Sequence, residues 1–262
     1  MIATVYFPAK NKHSIATWSR RGTHVRARYL STTLIVTVAA STLGCALQDA
    51  NTNLIPGSTL INFDQNRHGD IPDYLSYVEC VSGGVHTLDN RPAWRVVRDI
   101  FAPSPMFALV QSSSQANTSC YPIALIRNKT QQDVNLSVFI RFIQGKEKRQ
   151  AGLVWRYKDS HNYYAALVDD INQRVTVIVM KDGHPLKLTV SRIQGKVLPE
   201  NDMRKTLKWH ELQVVADKAA FTVWLDRVEI MAGKDKTFIT PGGVGMLTRS
   251  DTRAVFDNFL VR

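Results

Sequence analysis

Residues 151–168 read AGLVWRYKDSHNYYAALV. Two aromatic-rich runs, 151–157 and 163–168, flank the polar turn formers KDSHN. Successive side chains on a β-strand point to opposite faces. Polar residues between two such runs make a hairpin. With Tyr157 opposite Tyr163, Trp155 meets Ala165 and Leu153 meets Leu167. That apolar set belongs in a core. The other face then carries Arg156 beside Tyr164 as a cross-strand pair.

The same rhythm extends in both directions. In residues 134–142, Val134, Leu136, Val138, Ile140 and Phe142 alternate with Asn135, Ser137, Phe139 and Arg141. This is a strand with one buried face. Residues 174–180 and 186–190 flank Lys181-Asp182-Gly183-His184, which carries the Asp-Gly hairpin signal. Arg174 and Thr176 fall opposite Val175, Val177 and Val179. Further strands are expected at 59–63, 94–97, 107–111, 209–215, 221–225, 228–231, 244–247 and 254–261, with residues 64–93 as a long loop. Many short strands without an alternating helical pattern predict an all-β sandwich or barrel.

One sheet is therefore expected to present Arg141, Arg156, Tyr164 and Arg174 outward. An aromatic ring beside guanidinium forks suits a polyol or an anionic sugar. The competing reading is an ordinary exposed face whose arginines pair with nearby carboxylates.

The 262 residues carry a formal charge of +11. Lys10, Lys12, Arg20, Arg21, Arg26 and Arg28 lie in the first 44 residues, which contain no Asp or Glu. The remainder carries only +5, and no basic run continues into it, so the charge does not point to nucleic acid. Residues 30–43, LSTTLIVTVAASTL, are uncharged and follow this basic flank. That order is an export signal. Residues 1–45 are read as the signal, 46–58 as a polar tether and 59–262 as the sandwich. Contact with a membrane is expected only through the signal or a lipid. Three outcomes follow export: lipidation of Cys45 in the lipobox-like Thr42-Leu43-Gly44-Cys45, cleavage after Ala46, or retention as an anchor. The destination is the periplasm, the membrane or the medium. If Cys45 is lipidated or cleaved off, Cys80 and Cys120 remain as an even pair. They are either a disulfide worth roughly 3–4 kcal/mol or two free thiols.

Catalytic signatures are absent from the sequence: no GxSxG, HExxH, Walker loop or GxGxxG occurs. His161 and His184 lie in expected turns, as does the Asp169-Asp170 pair. No Glu pair sits at strand spacing on one face.

WRVVRD at 94–99, Ala102-Pro103-Ser104-Pro105, AGLVWRYKDSHNYY at 151–164, Trp209-His210-Glu211-Leu212, FTVWLD at 221–226, GVGML at 243–247 and FDNF at 256–259 carry a resemblance. Together they resemble a bacterial extracytoplasmic family with a concanavalin A-like jelly roll. Its members are labelled as similar to family 16 glycoside hydrolases or to the domain associated with 3-keto-disaccharide hydrolysis. The resemblance covers about residues 59–262 and implies a two-sheet antiparallel jelly-roll sandwich. The ExDxE strand motif of family 16 glucanases has no match, and Glu229 stands alone, so no catalytic residue is carried over. The resemblance also implies a structural calcium ion near the first and last strands, with Asp64 and Asp257 as the positions to hold it. Three functions fit this sequence: a carbohydrate-binding module, a glycoside- or keto-sugar-acting hydrolase, and a structural or interaction domain of the cell envelope.

Overall fold

The computed structural model describes residues 57–79, 93–104, 106–112, 121–193 and 207–262. The export signal, Cys45, most of the tether, and both Cys80 and Cys120 lie outside the described residues.

Fifteen strands are described: β1 (Thr59–Ile61), β2 (Leu75–Val78), β3 (Trp94–Asp99), β4 (Met106–Gln111), β5 (Ile123–Gln131), β6 (Val134–Gln144), β7 (Gln150–Asp159), β8 (Asn162–Asp169), β9 (Arg174–Lys181), β10 (His184–Arg192), β11 (Trp209–Asp217), β12 (Ala220–Leu225), β13 (Val228–Lys234), β14 (Gly242–Arg249) and β15 (Arg253–Val261). One sheet runs β13-β12-β11-β6-β15-β4-β3, with β1 also paired to β15. The other runs β10-β9-β8-β7-β14-β5-β2. Successive strands cross between the sheets at β1–β2, β2–β3, β4–β5, β5–β6, β6–β7, β10–β11, β13–β14 and β14–β15. The result is a two-sheet antiparallel jelly-roll sandwich.

The sheets differ in how their sequences earn burial. On β6 the expected alternation holds: Val134, Leu136, Val138, Ile140 and Phe142 are buried, and the residues between them are partly exposed. At β6 the eight-stranded sheet thus buries one face. On β8 every residue from Tyr163 to Asp169 is buried, and on β9 every residue from Val175 to Met180. Leu153, Trp155, Tyr164, Ala166 and Val177 face the inter-sheet core. Tyr163, Ala165, Leu167, Ile178 and Leu247 form a second apolar cluster on the other side of the same sheet. A near-continuous apolar run signals such two-sided burial.

Two strands arise where none is expected. β2 lies inside the stretch 64–93, and β5 fills residues left unassigned. The β5 sequence IALIRNKTQ is apolar and then polar, with no period of two. Its pairing with β14 shifts at Gly243/Gly245, and Asn128 has φ 58°.

The β7–β8 hairpin corrects the expected register. Trp155 pairs with Tyr164, Val154 with Ala165, and Asp159 with Asn162. The turn is therefore two residues, not five, and Tyr163 and Tyr164 exchange faces. Between Trp155 and Asp159 the ladder is broken by a bulge in which Arg156 takes φ 49°. A bulge leaves an extra residue unpaired and re-aims its side chain. Close approach of β14 requires a residue without Cβ here: a Cβ on Gly242 would lie 2.4 Å from the Arg156 carbonyl carbon.

The re-aimed Arg156 is 2% exposed. Its Nε donates to the Gln132 carbonyl at 2.7 Å, and Nη1 to the Phe238 carbonyl at 2.9 Å. Nη2 donates to the Lys218 carbonyl at 2.5 Å and lies 3.5 Å from Asp133 Oδ1. One guanidinium thus ties together the β5–β6 turn, the β11–β12 turn and the β13–β14 loop. Tyr164 is buried beneath the same loop. Its ring stacks on Trp155 at 5.4 Å, and its hydroxyl donates to Asp235 and accepts from the Phe238 N–H.

Replacing Arg156 with Met keeps the stem but leaves three carbonyls without a donor. Urea unfolding of Arg156→Met is expected to show a loss of roughly 3 kcal/mol or more. A loss below about 1 kcal/mol would mean that water replaces the guanidinium.

Candidate functional site

The outward face of the eight-stranded sheet carries a row of cross-strand neighbours. Trp209 on β11 lies opposite Arg141 on β6, and Arg141 opposite Val255 on β15. Val255 lies opposite Val110 on β4, and Val110 opposite Arg95 on β3. Strand alternation places all five side chains on one side. Val97, Val110, Val255 and Ile143 pack together as an apolar floor.

Over this floor lies a cavity of about 760 Å3. Its polar lining is Arg95, Arg98, Asp99, Arg141, Arg253, His68 and Ser112, and Ile100 and Phe101 close one side. Arg141 is fixed from two directions: it forms an ion pair with Asp99, and its guanidinium stands 5.3 Å from the Trp209 ring centroid. Asp99 Oδ1 also accepts the Phe101 N–H at 2.9 Å, which holds the loop after β3. The segment at 68–70 runs along the free edge of β3, with Gly69 N donating to the Val96 carbonyl and Val96 N to the Asp70 carbonyl. The Arg98 N–H donates to His68 Nδ1 at 3.3 Å.

Of the four residues expected to share an outward face, Arg141 alone lines this cavity. Arg156 and Tyr164 are buried at the bulged hairpin of the other sheet. Arg174 starts β9, pairs with Asp169 at 3.2 Å, and lines a separate cavity of about 430 Å3 with Arg192. The grouping fails for two physical reasons. The bulge inverts the facing of Arg156, and β6 belongs to a different sheet from β7, β8 and β9. No local sequence pattern marks Arg95, Arg98, Arg253, Asp99 or His68. Arg95 and Asp99 do lie on the face of WRVVRD opposite the buried Val96, but only the strand order brings them beside Arg141.

Asp169 ends β8 and accepts from Gln150 at 2.7 Å and from Asn172, while Asp170 pairs with Arg149. This adjacent pair closes a turn, as expected. His161 sits exposed in the β7–β8 turn, where its N–H donates to Asp159.

Asp64 and Asp257 come together from the exit of β1 and the middle of β15. Asp257 is fully buried; its oxygens accept from the Ser104 N–H at 2.9 Å, the Ser104 hydroxyl and the Asn258 N–H. Burial pushes its carboxyl up to about 7, and the charge of Asp64 adds to the rise. Burial raises Asp64 as well, and its Oδ1 is enclosed without a hydrogen-bond partner. The Ser104 hydroxyl and the Asn62 carbonyl stand at the same place. Among the described residues no three His, Cys, Asp or Glu side chains converge. An oxygen-only set with the buried Asp257 carboxylate and an enclosed, unsatisfied Asp64 oxygen fits a hard cation such as calcium, with carbonyl and hydroxyl oxygens completing the shell.

No family model matches the chain, and no curated protein does. Similar solved structures include the carbohydrate binding module CBM66 from Bacillus subtilis, with 20% identity, 65% of this chain and 95% of that chain covered, and a TM-score of 0.48. The GH43 protein BlXynB from Bacillus licheniformis has 15% identity, covers 77% and 39%, and has a TM-score of 0.46. A protein of unknown function with a galectin-like fold from Bacillus subtilis has 11% identity, covers 64% and 88%, and has a TM-score of 0.43.

If Asp64 and Asp257 hold calcium, the full chain melts several degrees higher in millimolar calcium than in EDTA, as binding to the folded state alone requires. In Asp64→Asn that difference is expected to vanish. Identical melting curves with and without calcium for the unaltered chain would dismiss the ion.

Proposed function

We propose that this chain is an exported carbohydrate-binding sandwich whose sugar seat is the cavity on the outward face of the eight-stranded sheet. The observation that carries the reading is the cross-strand row from Trp209 to Arg95, which sets guanidinium forks around an apolar floor. A pyranose ring has apolar C–H faces and a rim of hydroxyls. The half-buried Val97 and Ile143, packed on Val110 and Val255, offer the first a surface, and the forks offer the second donors in fixed geometry. The side chains stand on paired strands rather than on loops, so the seat is held in place before a ligand arrives.

Binding is favoured over cleavage. Glycoside hydrolysis normally uses two carboxyl groups flanking the scissile bond. Among the described lining residues Asp99 is the sole carboxylate, and Arg141 neutralises it. The pair Asp64 and Asp257 is not among the residues lining the cavity. Export rests on the sequence order of basic flank and uncharged segment in residues 1–45.

Two measurements follow. In affinity electrophoresis through gels containing single polysaccharides, the full chain is retarded by at least one of them, and Arg141→Ala binds it at least tenfold more weakly. Free migration through every gel would remove the sugar-binding reading. In cell fractionation, the full chain leaves the cytoplasm and a chain lacking residues 1–45 stays inside; equal distributions would remove the export reading.

A further inference from the structure

The cavity's hydrogen-bonding inventory is lopsided. Its acceptors are spent inside the protein. Asp99 takes Arg141 on one oxygen and the Phe101 N–H on the other. The Ser112 hydroxyl donates to the Ala93 carbonyl and accepts from Arg95, both at 2.9 Å. His68 Nδ1 faces the Arg98 N–H, which leaves Nε2 as the proton-bearing nitrogen in the neutral ring.

Donors remain in excess. Arg95 uses Nη2 on Ser112 and Arg253 uses Nη1 on Gln144. Arg98 adds a further guanidinium to the lining. A neutral hydroxyl must give a hydrogen bond as well as take one. A deprotonated acid only takes them, and it matches the planar fork of arginine.

We infer that the cavity selects an acidic sugar, a carboxylate-bearing unit of a polyuronate, with Arg95 and Arg253 holding the carboxylate and the half-buried Val97 and Ile143 carrying the ring. This deepens the sugar-binding reading and rests on it.

The test is isothermal titration of the full chain in 150 mM salt. The probes are oligogalacturonate, a neutral glucan oligomer of equal length and sulfated dextran. Arg95→Gln, Arg253→Gln and Arg192→Gln are compared with the unaltered chain, each checked for an unchanged melting transition. Arg192 stands on β10 of the other sheet and removes the same charge at a distance. Oligogalacturonate is expected to bind at least tenfold tighter than the neutral glucan. Arg95→Gln and Arg253→Gln are each expected to lower that affinity tenfold or more, and Arg192→Gln to change it less than twofold. Tighter or equal binding of the neutral oligomer overturns the acidic selectivity and leaves sugar binding standing. Sulfated dextran that matches oligogalacturonate overturns the carboxylate assignment. An equal loss in Arg192→Gln overturns the site and leaves only diffuse attraction. No binding of any probe removes both readings.

Discussion

A charge with no route to water is the constraint around which this sandwich is arranged. Arg156 sits where the two sheets meet, and burying a guanidinium is tolerated only when its protons are taken up locally. Carbonyls from three connections do this. Two of them, β5–β6 and β13–β14, pass from one sheet to the other, and the third joins β11 and β12 of the eight-stranded sheet, while Arg156 belongs to β7 of the seven-stranded one. The demand of one side chain for acceptors therefore fixes how the sheets meet at that end.

β6 carries this constraint to the cavity. The strand begins next to Asp133, at the Arg156 cluster, and reaches Arg141 eight residues later, about 26 Å along an extended chain. Slippage by one residue would turn Arg141 into the core and Phe142 outward. The row from Trp209 to Arg95 exists because four strand pairings keep register with β6 and with one another. Stability at one end and chemistry at the other are thus properties of one strand.

Much of this was legible from residue order alone. The alternation in 134–142 gave β6, its buried face and the outward setting of Arg141. The aromatic runs gave β7 and β8, with Trp155 inward. What escaped was what local pattern does not encode. A bulge at Arg156 breaks the two-residue rhythm, and no neighbouring residue announces it. β5 hides because its inner half is apolar on both faces and its outer half is polar. Above all, strand order is a long-range property: Arg95, Arg141 and Arg253 lie up to 158 positions apart in the chain and meet only because β3, β4, β15 and β6 are neighbours. Asp64 and Asp257 meet for a simpler reason, since the first and last strands pair.

The place of Trp209 gives the molecule a built-in optical reporter. Trp94 and Trp155 are sealed in the core at 0% and 1% exposure, where indole emission is insensitive to events at the surface. Trp209 and Trp224 are partly exposed, and the Arg141 cation stands above the ring of Trp209, so in a Trp224→Phe background that indole can be read. Charge over an indole shifts the energy of its excited state. A molecule that draws Arg141 away from that ring therefore changes the colour of the protein's own fluorescence, and occupancy of the cavity can be followed without attaching a dye.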